Sequence, residues 1–234
     1  MLFDFSNKGR VEIDMSDYIK DMVDDFSVNF KSTDIKKTPA TNDLFKVDES
    51  EELSKEQREE FHTFVAKGLF VSKRARPDIH PTISVLCTRV KSPNKSDWDK
   101  LVHLLMYCNG TRSDKLILSA DNLHVIKWYV DTAFAVHPDF RSHTGGGMTY
   151  GRGMPVTKSI KQKLNTRSST EAELVGSDDM SIMILWTKLF MEALGYKIEK
   201  NILYQDNKST ILLEKNGKRS SGQRTRAFNI RYFS

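Results

Sequence analysis

Only two cysteines occur in 234 residues, Cys87 and Cys108, each inside an apolar segment and neither in a CxxC pair. That pattern excludes a disulfide scaffold and a thiolate metal site, and reads as reduced, buried thiols of an intracellular protein. The six histidines, at 62, 80, 103, 124, 137 and 143, are scattered without the spacing of a zinc site. No apolar run approaches the roughly 18–20 residues needed to cross a bilayer. The first ten residues, MLFDFSNKGR, lack the basic and apolar regions of a signal peptide. No glycine-rich loop leads into Lys-Ser or Lys-Thr, and no GxSxG occurs, so the usual nucleotide-cradling and serine-hydrolase motifs are absent.

What remains is a soluble-globular composition, 38% hydrophobic and 29% charged, with a net charge of +5. The charge is divided. Residues 1–60 carry 16 acidic and 9 basic side chains, whereas residues 61–234 carry 15 acidic and 27 basic. A basic C-terminal three-quarters is the footprint of a phosphate-backbone binder, and a solvated basic face gives the same composition.

The longest helical pattern runs through KSIKQKLNTRSSTEAELVGSDDMSIMILWTKLFMEALG, residues 158–195. Ser168–Glu171 and Thr170–Glu173 both fit the capping-box spacing. Apolar residues then recur at 172, 175, 180, 183, 186, 189, 190 and 194, and Gly195 stops the pattern, which predicts a long buried helix. Upstream, Val11–Met15 alternates as a strand, and residues 16–26 form an amphipathic helix capped by Ser16. Residues 27–50 read as a polar linker. Three helices follow, over 54–72, after a cap at Asp78, and after a cap at Ser96, so residues 50–112 form a small all-helical unit. Lys73, Arg74 and Arg76 serve either phosphate contact or the macrodipole at a helix end.

From Leu116 the period changes to two. Lys115–Ser119 and His124–Asp131 make one candidate strand pair, and Thr144–Arg152 and Met154–Ser159 another. After the long helix come a short strand, Asn201–Gln205, and a helix, Lys208–Asn216. Strand–strand–strand–helix–strand–helix is a mixed α/β sheet.

Three carboxylates fall at element boundaries: Asp131 ends a strand, Glu173 lies in the first turn of the long helix, and Asp206 follows the next strand. Taken singly, Asp131 suits a turn, Glu173 a capping box and Asp206 a helix cap. Taken together they point to a divalent-cation site, because converging carboxylates repel unless a cation neutralises them. Oxygen ligands without His or Cys select Mg²⁺ or Mn²⁺. His137 and His143 flank a loop near Asp131, either facing substrate or simply solvated.

The strings WYVDTAFAVHPDFRSHTGG, KSIKQKLNTRSSTEAELVGSDD and ILYQDNKSTILLEKNG resemble the ribonuclease H region of copia-type retrotransposon Pol polyproteins. SKRARPDI resembles the segment between the reverse transcriptase palm and that region. The resemblance implies a ribonuclease H-like mixed α/β sheet preceded by a helical connection. Its segments are a palm remnant and linker over 1–49, a connection unit over 50–114 and a ribonuclease H-like domain over 115–234. It implies cleavage of RNA in an RNA–DNA hybrid by two-metal hydrolysis, with Asp131, Glu173 and Asp206 as catalytic and metal-ligating residues. Lys161, Lys163, Arg167, Arg224 and Arg226 would contact the nucleic acid. The implied partners are the hybrid and the remaining polyprotein, including polymerase and integrase, in cytoplasmic particles with later nuclear access.

Two departures accompany the resemblance. No Asp follows Asp206, so the family's fourth carboxylate, in a motif resembling ADxxTK, has no counterpart, and the expected domain is truncated. The usual His before NIRYF is Ala227. The polymerase signature is absent too, since Asp24-Asp25 sit in MVDDF and Asp178-Asp179 inside the long helix. A non-catalytic nucleic-acid binder and a structural relic of the polyprotein are the alternative readings.

Overall fold

The computed structural model describes residues 1–216 and divides the chain into two compact units, Met1–Ser119 and a second beginning at Ala120. No helix of the described residues is long and apolar enough to cross a membrane.

In the first unit, β1 (Leu2–Asp4), β2 (Arg10–Asp14) and β3 (Leu116–Ala120) pair antiparallel in that order. The second of these pairings corrects the expected pairing of the 115–119 and 124–131 segments. Ile13 lies opposite Leu116 and Val11 opposite Leu118, and both leucines pack on the apolar core of this unit. Burial of those cross-strand pairs outweighs the shorter sequence separation to the next strand.

Four helices complete the unit: α1 (Ser16–Asp24), α2 (Lys55–Ser72), α3 (His80–Cys87) and α4 (Lys95–Gly110). Their core is aromatic at its centre, where the Phe26 ring meets Phe64 edge-on at 4.8 Å and Trp98 at 5.1 Å. Helix α2 starts on a Ser54–Gln57 capping box. The cap of α4 is Asn94, paired reciprocally with Asp97, rather than the expected Ser96. Asp78 does not cap α3 either: its carboxylate takes a bidentate contact from the Arg76 guanidinium and a hydrogen bond from Tyr107. Arg76 is only 2% exposed and also donates to Thr111, so it braces the helices and is not available to phosphates. The Asp24-Asp25 pair is engaged in surface ion pairs with Arg112 and Lys67. Residues 27–50 hold no helix or strand, yet they are tied along α4 through Asn109 to the Lys31 and Asp34 carbonyls and through His103 to Thr38.

His80, 2% exposed at the start of α3, is pushed down to about 4 by burial, with the Lys73 charge adding to the effect. A histidine with a lowered folded-state value binds fewer protons than in the unfolded chain. Its contribution is therefore complete above the ordinary value near 6.5 and lost as pH falls from there toward 4. We expect urea titrations to lose about 2 kcal/mol between pH 7 and 4 from this group, after allowance for solvent screening. His80→Gln should remove that component; an unchanged pH slope in the variant would count against it.

The second unit is built on a four-stranded mixed sheet. The strands of this sheet are β4 (Val125–Ala133), β5 (His143–Thr149), β7 (Val156–Lys161) and β8 (Lys200–Tyr204), and the two-residue β6 (Gly151–Arg152) lies outside it. The order is β7-β5-β4-β8, with β4 antiparallel to β5 and parallel to β8. Helix α5 (Ser169–Ala193) packs on β4 and β5, and α6 (Lys208–Asn216) packs on α5. A mixed sheet flanked by helices agrees with the expected ribonuclease H-like arrangement at that level. The core is Ile126, Trp128 and Val130 from β4 with Met148, Met180 and Ile198, and the Trp128 indole donates to Asn201 at 3.0 Å. Gly146 is needed here because a Cβ would stand 2.7 Å from the Tyr129 carbonyl oxygen and 3.0 Å from Met180.

The first half of α5 is buried as expected, whereas beyond it Thr187 is buried and Met183, Ile184 and Met191 pack only partly against the core. Ile182, Leu185, Trp186, Leu189, Phe190 and Leu194 are all 45–77% exposed. A helix of 25 residues is about 38 Å long, whereas the sheet strands of five to nine residues span roughly 17–30 Å, so the helix outruns the surface it packs on.

Candidate metal centre

Asp131, Glu173 and Asp206 come from three separate elements: β4, the first turns of α5, and the turn between β8 and α6. Each offers a carboxylate oxygen within 4.8 Å of the others, and they are the residues of a possible cation site among those described. The parallel pairing of β4 with β8, which sets Tyr129 opposite Tyr204, brings the ends of these strands together.

The ordinary local role of each carboxylate is filled by something else. Asp131 is not in a turn: it sits inside β4, paired with Gly145. The α5 cap is Ser168, whose hydroxyl accepts from Glu171 N at 3.2 Å, and the Glu171 carboxylate accepts from Arg167 N at 2.7 Å. Glu173 is thereby left out of the capping. Asn207, not Asp206, caps α6, accepting from Thr210 N at 3.1 Å. The three carboxylates are free to face one another.

Their electrostatics suit a bound cation. Glu173 is 6% exposed, whereas Asp131 and Asp206 are exposed. Burial pushes the Glu173 carboxyl above its ordinary value and the Asp131 charge adds to this, opposed first by Thr132 and then by the Gln205 amide, which donates at 3.1 Å. Asp131 accepts only from the Thr132 backbone N–H at 2.8 Å among the described contacts. No ion pair among the described residues reaches any of the three. Like charges at about 5 Å repel by roughly 1–3 kcal/mol per pair at the effective dielectric of a partly exposed site. An all-oxygen, triply anionic donor set suits a hard divalent cation such as Mg²⁺ or Mn²⁺.

The expected nucleic-acid contacts are placed unevenly. Lys161 ends β7 and is paired with Asp139 at 2.7 Å. Lys163 and Arg167 are exposed in the loop entering α5. Arg224 and Arg226 lie outside the described residues. The expectation of solvated or substrate-facing histidines is corrected: His137 and His143 are 5% and 6% exposed. Their rings meet at 3.0 Å, and His143 contacts the Ser159 hydroxyl at 2.7 Å, so they knit the loop to β5 and β7. Burial pushes His137 down, with Lys161 adding to it. Sequence reading missed Gln205, whose side chain holds Glu173; its position directly before Asp206 was the available signal.

Comparison with known proteins agrees with this arrangement at the level of a broad family. The chain is 29% identical over 173 residues to the retrovirus-related Pol polyprotein from transposon TNT 1-94 of Nicotiana tabacum, covering 74% of this chain and 13% of that protein. It is 29% identical over 134 residues to the Pol polyprotein from transposon RE2 of Arabidopsis thaliana, covering 56% of this chain and 9% of that one. A putative transposon Ty5-1 protein of Saccharomyces cerevisiae is 27% identical over 179 residues, 74% of this chain and 56% of its own length. No family model and no solved structure matches. The chain is thus similar to a minor part of retrotransposon Pol polyproteins, and it carries three clustered carboxylates.

Proposed function

We propose that this chain carries the ribonuclease H activity of a copia-type Pol polyprotein, hydrolysing the RNA strand of an RNA–DNA hybrid. The observation that carries the reading is the convergence of Asp131, Glu173 and Asp206 from three elements while Ser168, Glu171 and Asn207 perform the local capping. When bound, divalent cations supply the Lewis acidity that activates water and stabilises the leaving oxygen of a phosphodiester. The protein's part is to hold the three carboxylates in place. Gln205 orients Glu173, and the β4–β8 pairing sets the spacing of the two aspartates. Lys163 and Arg167, with Lys161 once released from Asp139, bind the phosphates of the hybrid without reading sequence. The first unit serves as a palm remnant over 1–49 and a helical connection over 50–114, and the partners are the hybrid and the rest of the polyprotein.

The test is cleavage of an end-labelled RNA–DNA hybrid in Mg²⁺ or Mn²⁺, with Asp206→Asn alongside. The expected result is cation-dependent cutting of the RNA strand, lowered by a factor on the order of 100 or more in the variant. Binding should weaken with salt at a log–log slope of about −2 to −3 for three phosphate contacts. A folded chain that binds the hybrid with that slope but never cuts it would replace the nuclease with a non-catalytic binder.

A further inference from the structure

The loop joining β4 to β5, residues 134–142, is costly to form and yet tightly held. Two non-glycine residues in it have left-handed backbones, Ala135 with φ 52° and Phe140 with φ 58°. For a bulky residue that conformation is an outlier, and such strain persists only where the surroundings impose it. Phe140 carries a second penalty, because its ring is 72% exposed. Neither cost serves the packing of the unit.

The surroundings that impose the conformation are clear. Phe140 N donates to the His137 carbonyl at 2.8 Å, and His137 N donates to the Arg141 carbonyl at 3.1 Å. The buried His137–His143 contact anchors the base of the loop. Asn165 donates to the Asp139 carbonyl at 3.1 Å, and Gln162 N to the Ser142 carbonyl at 2.9 Å, which ties this loop to residues 162–168. Both loops lie at the carboxylate end of the sheet. One begins just after β4, the strand that holds Asp131, and the other runs into the start of α5, which holds Glu173.

The two tied loops carry an exposed aromatic side chain, Phe140, and the cations Arg141, Lys163 and Arg167, with Lys161 at the end of β7; of the carboxylates there, Asp139 pairs with Lys161 at 2.7 Å and Arg141 at 3.5 Å, and Glu171 accepts from Arg167 N. An exposed ring amid cations is the composition of a single-strand stacking platform, since every base offers a π-face and the cations hold the backbone. We propose that Phe140 is a stacking site for an unpaired nucleotide at the edge of the carboxylate cluster, with Arg141, Lys163 and Arg167 holding the adjoining phosphates. This rests on the nucleic-acid reading above and adds the form of the ligand: the single strand where it leaves the hybrid.

The experiment compares binding of two fluorescent probes to the full chain in EDTA, a blunt RNA–DNA hybrid and the same hybrid with a single-stranded overhang of about six nucleotides. The native chain is expected to bind the overhang probe roughly tenfold more tightly, the worth of one stacked base. Phe140→Asn should erase that preference while leaving urea stability equal or higher, because asparagine accepts the left-handed backbone more readily. Phe140→Trp should restore the preference. A merely structural phenylalanine would not separate binding from stability in this way. Equal binding of both probes by the native chain, or a preference that survives in Phe140→Asn, overturns the stacking site alone. Binding of the overhang probe with none of the blunt hybrid sustains the stacking site and removes the hybrid-binding reading, and no binding of either probe overturns both.

Discussion

Replacing Glu173 with glutamine is expected to stabilise the metal-free chain and to abolish its response to Mg²⁺. Glu173 is buried beside Asp131, and burial first, the neighbouring charge second, hold its carboxyl above the ordinary value. A carboxyl whose folded-state value is raised binds more protons when folded, so its contribution to stability is present at low pH and is lost as pH rises through that value. Above that value the ionised group therefore opposes folding. Glutamine has the same shape, keeps an oxygen for the Gln205 amide and carries no charge. A rise of about 2–4 °C in the thermal midpoint at pH 7 is expected, shrinking as pH falls and the native carboxyl takes up its proton. Added Mg²⁺ should raise the midpoint of the native chain by mass action and leave the variant unmoved. The opposite sign, a variant less stable without metal, would make Glu173 a structural anchor and remove the electrostatic case for a cation site.

The second large effect is expected at Gly176, one turn beyond Glu173 on α5. A Cβ built there would lie 2.6 Å from the Thr132 methyl and 3.4 Å from Val130. The missing side chain is what lets α5 descend onto β4 directly beside Asp131. Alanine would gain about 1 kcal/mol of helix propensity but lose roughly 1–3 kcal/mol to overpacking, a small net loss. Valine adds two further methyls and gives up most of the propensity gain, so Gly176→Val should cost about 3 kcal/mol or more in urea unfolding. The helix start must shift outward to admit it, which moves Glu173 away from the aspartates. The Mg²⁺-induced stabilisation should therefore fall by more than the loss of stability explains. A valine variant within about 1 kcal/mol of native, with its metal response intact, would show that the helix start adapts without disturbing the cluster.

Local signals in the chain were sufficient for much of this. The capping residue Ser168, the period-two pattern of β4 and the long apolar pattern of α5 are all written within a few residues of where they act. So are the carboxylates near the end of β4, the start of α5 and the end of β8, because caps and strand ends depend on backbone groups a turn or less away. Which of two neighbouring candidates takes a role was less legible. Asn94 caps α4 rather than Ser96, and Asn207 caps α6 rather than Asp206, by differences of one or two residues that a spacing rule does not resolve.

By itself, then, the sequence determined the element types, the basic character of the later part of the chain and the identity of the acids available for a site. Only the tertiary structure decided which strands pair and what each side chain faces. β3 joins β2 because Leu116 and Leu118 find Ile13 and Val11 there, more than a hundred residues away in sequence. Arg76 and the two loop histidines look like surface groups in a string of polar residues, and become internal braces once Asp78, Thr111 and Ser159 are brought to them. The far half of α5 keeps an apolar pattern that the sheet is too short to cover. The convergence of Asp131, Glu173 and Asp206 belongs to the same class. It depends on a parallel strand pairing and on a glycine that admits the helix, and such non-local contacts are settled by competition for burial, which no local pattern records.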